Sequence, residues 1–131
     1  MAKCLGEGRM HDLWRKAVLI LCNHRCMFKG CHVRGDENLA CHHIVRKSRK
    51  ITRWLPENGC SLCNNHHTGK EGVHLIPKNK RDLESNWEHI DLLDELSLLT
   101  YKDYLQAQGL TNETYYTMLA DRMKKIIKES E

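Results

Sequence analysis

The sequence predicts an α+β fold: a small strand–strand–helix core with a zinc knuckle, flanked by an N-terminal helix and two to three C-terminal helices. Three observations predict it. Leu13, Trp14, Ala17, Val18, Ile20 and Leu21 recur at helical spacing. Six of the chain's 7 cysteines fall between Cys22 and Cys63, interleaved with histidines. Beyond residue 80, leucines and tyrosines again follow a helical period. At 131 residues the chain has room for one domain with one modest core. It divides into a helix over 10–22, a metal-binding motif over 25–76 and a helical extension over 78–131, within a single domain 1–131.

The N-terminal nine residues contain two glycines and little to bury, which predicts a frayed start. An amphipathic helix follows from Met10 to Leu21 and ends at Asn23 and His24. Cys26-Met-Phe-Lys-Gly-Cys31 is a knuckle, two thiols on a tight loop with a glycine to turn the backbone. Gly35 to Asn38 is a turn, and Leu39 to Val45 reads as a strand. A basic loop leads to Pro56 and Asn58-Gly59, which mark a second turn. Cys60 to Cys63 is a short second strand, and Asn64 is placed to cap a short helix carrying His66 and His67. Arg81–His89 and Ile90–Gln108 read as helices, with Leu92, Leu93, Leu96, Leu99, Tyr104 and Leu105 as a broad apolar stripe. Gly109 is a helix stop. The last helix, over 112–128, puts Tyr115, Met118, Leu119, Arg122, Met123, Ile126 and Ile127 near one face.

Composition narrows the class of function. With 40% hydrophobic and 29% charged residues the chain is ordinary for a globular protein. No apolar run approaches the ~20 residues of a membrane span. Leu13–Cys22 carries Arg15 and Lys16 and reads as a core helix, so a cytoplasmic protein is expected. A cysteine-rich chain in a reducing compartment points to metal binding rather than disulfides. The net charge of +4 is modest, but Arg46, Lys47, Arg49, Lys50 and Arg53 come together without an intervening acid. That run reads as a DNA-binding face, with acidic residues 83–103 reserved for packing. A solvated loop is the plain alternative.

Cys41-His-His-Ile-Val-Arg-Lys-Ser48 organises the rest. Adjacent strand residues point to opposite faces, so one imidazole of His42 and His43 can hold a cation while the other reaches a water or substrate. Asn58 lies fifteen residues after His43, and His67 nine after that. This order and spacing resemble the ββα-metal (HNH) endonuclease family. The resemblance covers roughly 25–74 and implies an α+β fold with a small ββα-metal core. It implies that His42 and His67 are ligands of a catalytic divalent metal, that His43 is the general base, and that Asn58 ties the motif together and orients the histidine pair. His74 is the leading third ligand; Glu71, or water completing a two-residue site, are the alternatives. Magnesium or manganese is favoured by the family, while imidazole ligands equally suit zinc or nickel.

The same resemblance implies a structural zinc. Its first pair is Cys26 and Cys31; counting on from Asn58 gives Cys63 and His66. A four-thiolate site with Cys60 in place of His66 is the rival. Cys4 reads as a bystander, Cys22 and Cys41 as packed thiols, His11, His24 and His89 as surface or capping residues, and Trp14, Trp54 and Trp87 as core anchors. The implied activity is nicking or double-strand cleavage of DNA with low sequence specificity. Small HNH proteins of this kind resemble bacteriophage enzymes in the host cytoplasm, with terminase and portal as partners in packaging. The C-terminal helices are read as completing the core and as a docking or homodimer surface. A zinc-dependent DNA- or protein-binding module that does not cleave is the alternative, and RNA or junction substrates use the same centre.

Overall fold

The structure, a computed structural model, describes residues 6–76, 83 and 90–131. It is α+β, with one two-stranded antiparallel sheet and five α-helices among the described residues. The elements are α1 (Glu7–Leu21), β1 (Leu39–His43), β2 (Gly59–Cys63), α2 (Asn64–His67), α3 (Ile90–Leu98), α4 (Tyr101–Gln108) and α5 (Asn112–Glu129). Short 3-10 turns occupy Asp36–Asn38, Pro56–Asn58 and Val73–Leu75.

Helix α1 starts at Glu7, inside the stretch expected to fray. An acid in the first turn meets the positive end of the helix. Its carboxylate is also held from outside the helix, by Arg53 at 3.1 Å and by the Tyr116 hydroxyl at 3.1 Å. The helix ends at the expected place, because Asn23 and His24 turn into the left-handed region (φ 57° and 54°).

Strands β1 and β2 pair from Leu39↔Cys63 to His43↔Gly59. The first strand is shorter than the expected Leu39–Val45. Asn58 is the reason: its Oδ1 accepts from the Val45 N–H at 2.6 Å and its Nδ2 donates to the Val45 carbonyl at 3.0 Å. A side-chain amide thus replaces the ladder at the point where the chain leaves the sheet.

Strand alternation decides what faces what. His43 and Gly59 point toward α1, where the Trp14 indole stacks on the His43 ring (centroids 3.9 Å, planes 10° apart). A Cβ at Gly59 would run into Val18 and Trp14, so glycine lets α1 lie directly on the sheet. His42 and Cys60, one residue out of phase, face the opposite side.

Helix α5 packs on α1 and closes the core. Tyr115, Tyr116, Leu119 and Met123 are buried with Met10, Trp14 and Val18, at about 1.5–3 kcal/mol for each large side chain taken from water. Tyr115 also donates to the Ile51 carbonyl at 2.5 Å, tying α5 to the basic loop. The expected helix over 90–108 is two helices. Thr100 interrupts it, its hydroxyl accepting from the Asp103 N–H at 3.2 Å. The leucine stripe is correspondingly incomplete: Leu93 and Leu105 are buried, but Leu92 and Leu99 are 67% and 51% exposed. Gly109 stops α4, and Thr111 caps α5. The helix expected over Arg81–His89, together with Cys4, Trp87 and His89, lies outside the described residues. No described helix is long and apolar enough to cross a membrane.

Candidate metal centres and an adjoining cleft

Two groups of metal-ligating side chains assemble around β1, β2 and α2. The first is Cys26, Cys31, Cys63 and His66, whose ligand atoms lie within 4.8 Å of one another. The Cys31 and Cys63 sulfurs are 3.9 Å apart, and the His66 Nδ1 is 3.2 Å from Cys63 Sγ and 3.6 Å from Cys26 Sγ. A tetrahedral zinc with ordinary Zn–S and Zn–N bonds has edges of roughly 3.5–3.8 Å. The donor set and its spacing therefore fit one zinc ion. Burial pushes the Cys26 thiol up to about 12, so a cation is needed to make its thiolate the stable form.

The knuckle is shaped by backbone bonds from Cys26 N to the Val33 carbonyl (2.9 Å) and from Cys31 N to the Phe28 carbonyl (3.0 Å). Phe28 lies flat on the His66 ring (4.1 Å, 5°). The far nitrogen of His66, Nε2, meets Glu71 Oε2 at 3.4 Å, and Asn65 holds the same carboxylate oxygen at 3.2 Å. A carboxylate behind a ligating imidazole fixes its orientation and strengthens it as a donor. Glu71 thus stands behind His66 rather than in the histidine group, where it was weighed as a third ligand. Cys60, the rival zinc ligand, is fully buried in the core. Three residues along a strand from Cys63, it faces the other side of the sheet and is not in the cluster. Cys22 is buried in the core, as expected, and Cys41 donates to the Arg15 carbonyl at 3.6 Å.

The second group is His42, His67 and His74, again with ligand atoms within 4.8 Å. His42 is buried at the end of β1 and faces α2. His74 comes back to this site through the Gly69–Gly72 turn, and its Nε2 is 2.9 Å from the Nε2 of His67. A Cβ at Gly72 would strike the His67 carbonyl, so only glycine allows the chain to return so closely. Burial, and the neighbouring His74, lower the His67 pKa, keeping the imidazole in the neutral form that binds metal. Three neutral imidazoles at this separation fit one divalent transition-metal ion and leave its other positions to water or substrate.

Helix α2 was expected to begin behind an Asn64 cap. Cys63 occupies the cap position instead, and Asn64 is the first helical residue. Consecutive helical residues point about 100° apart, so His66 turns to the thiols while His67 turns to His42.

His43 stands beside the histidine group. Burial lowers its pKa to about 4, so its ring is neutral at pH 7. Its Nε2 is buried with no hydrogen-bond partner, while the ring bonds to the Arg53 backbone. Asn58 is completely buried and its amide is committed to Val45 and, at 3.1 Å, to the Thr52 carbonyl. Its place is that of a positioning residue, holding the chain just after the His42–His43 pair. Replacing it with alanine strands the Val45 and Thr52 groups, each at about 1–3 kcal/mol. The expected outcome is a melting midpoint lowered by many degrees with zinc content retained, read by calorimetry and metal analysis.

A cleft of about 420 Å³ opens over these groups, lined by His42, His43, His67 and His74 together with Arg46 and Lys47. No family model, curated protein or solved structure matches the chain. The site is therefore read from its own chemistry. Of the five expected DNA-binding cations, Arg46, Lys47, Arg49 and Lys50 are exposed. Arg53 differs: its Nε donates to the Lys47 carbonyl at 2.5 Å and its Nη1 pairs with Glu7, so it braces the loop. Sequence reasoning missed the Glu71–His66 pairing and the placement of His11, which also lines the cleft. The spacing of His11 three residues before Trp14 puts both on one helix face, and was the available signal.

Proposed function

We propose that the protein is a metal-dependent DNA endonuclease of the HNH type. The observation that carries this reading is the convergence of His42, His67 and His74 next to a neutral His43, whose Nε2 has no hydrogen-bond partner, around one cationic cleft. A purely structural site would have no use for the second imidazole. In this reading the histidine triad holds a divalent ion, magnesium or manganese by preference, and the Cys26/Cys31/Cys63/His66 group holds zinc. When bound, the divalent ion supplies Lewis-acid stabilisation of charge on the phosphate and the departing 3′ oxygen.

The chain's own residues supply the rest. Arg46 and Lys47 at the cleft mouth attract the DNA backbone and bring a phosphate in. His43 is assigned the role of general base, which requires the neutral ring its burial enforces. Trp14 fixes the plane of that ring and the Arg53 backbone fixes its rotation. Asn58 keeps the strand end and the basic loop in register. Contacts of this kind read phosphates and not bases, so cleavage has low sequence specificity.

The test is supercoiled plasmid incubated with the pure protein and manganese. Nicked or linear product from the wild type, abolished by EDTA and by His67→Ala, is expected. DNA retardation without any cleavage, across manganese, magnesium, nickel and zinc, would overturn the reading in favour of a non-cleaving zinc module.

A further inference from the structure

We infer that His11 is a substrate-contacting residue, donating a ring N–H to a DNA phosphate beside the scissile bond. This rests on the nuclease reading of the cleft and extends it to the part of the lining that α1 supplies. His11 is exposed on α1, yet it lines the same cleft as His43, His67 and His74. Its ring sits edge-on to Trp54 (centroids 6.0 Å, 79°) and 6.2 Å from Trp14. Those two indoles also flank His43, at 6.0 and 3.9 Å. His11 and His43 are therefore carried by one aromatic platform.

Position gives His11 its role. The metal-ligating imidazoles approach the cleft from β1, α2 and the turn after it, whereas His11 approaches from α1. A phosphodiester bound between them presents oxygens to both sides. Arg46 and Lys47 are long and exposed, and attract the backbone without fixing it. An imidazole has fewer rotatable bonds than an arginine or lysine side chain, so a hydrogen bond from it costs less ordering entropy. It can set the lateral position of the phosphate relative to His43.

The experiment pairs binding with kinetics in the full-length, metal-loaded protein. Binding of a labelled 20-base-pair duplex is measured in a His43→Ala background with and without His11→Ala. Cleavage of plasmid is measured for His11→Ala and His11→Gln with His43 intact. The expected result is an affinity about tenfold weaker and a raised KM for His11→Ala, with kcat far less affected and an unchanged melting temperature. Recovery by His11→Gln, which restores an N–H donor, is expected because a merely structural role would not be rescued that way. Unchanged affinity and KM in His11→Ala, with the wild type cleaving normally, would overturn the inference and leave the nuclease reading intact. If the wild type does not cleave but His11→Ala still weakens duplex binding and His11→Gln restores it, the phosphate contact stands and the nuclease reading fails.

Discussion

Cys63→Ala, or removal of zinc by a strong chelator, should abolish the cooperative unfolding transition of the protein. The expectation follows from how little else holds that region. The knuckle is a loop with few apolar anchors, and α2 spans four residues, Asn64–His67, far below the roughly 12–15 at which an isolated helix is marginal. Structural zinc sites contribute about 10–16 kcal/mol of apparent binding free energy, comparable to the whole stability of a small domain. Losing one thiolate also leaves Cys26 buried with its charge unfavoured. Circular dichroism melts with metal analysis read the effect. Cys60→Ser is the control and should keep one zinc per chain, because Cys60 faces away from the cluster. Zinc retained by His66→Ala but lost from Cys60→Ser would reverse the ligand assignment.

His43→Ala should lower the rate of plasmid cleavage by about 10²–10⁴-fold, the usual worth of a positioned general base. Manganese affinity should hold, since the proposed ligands are His42, His67 and His74. Duplex affinity should hold as well. Because alanine opens space against Trp14, His43→Asn serves as a second variant that keeps more of the packing while losing the base. Cleavage within tenfold of wild type by both variants would remove His43 from the reaction. A stability signature accompanies the kinetic one. Folded His43 stays neutral down to about 4, whereas an unfolded histidine protonates near ~6.5. Below ~6.5 the unfolded chain therefore takes up a proton that the folded chain refuses. Stability from this group is complete above that pH and is lost as pH falls toward about 4. His43→Ala should flatten this part of the acid-stability curve.

The sequence carried the site more clearly than the fold. Ligand identity travels with residue type and spacing, and the two groups found together by the structure, Cys26/Cys31/Cys63/His66 and His42/His67/His74, could be written from the chain. The choice of His66 over Cys60 was legible because helical and strand periodicities send neighbours to different sides. What could not be read was anything set by a distant partner. The early start of α1 depends on Arg53 and Tyr116 holding Glu7. The end of β1 depends on an amide thirteen residues further on. The break between α3 and α4 was local and legible in hindsight, since Thr100 followed three residues later by Asp103 is a capping pattern. Glu71 was weighed as a metal ligand and not as the partner of His66, because the pairing depends on how the turn after α2 is placed.

Two neighbouring side chains, His66 and His67, belong to different groups of candidate ligands across a single turn of backbone. An oxidant that converts Cys31 or Cys63 to a sulfenic acid or a disulfide would release His66 from the cluster and weaken the hold on α2. His67 would then drift from His42 although no imidazole had been touched. The geometry of the histidine group is in this way tied to the redox state of the thiols beside it.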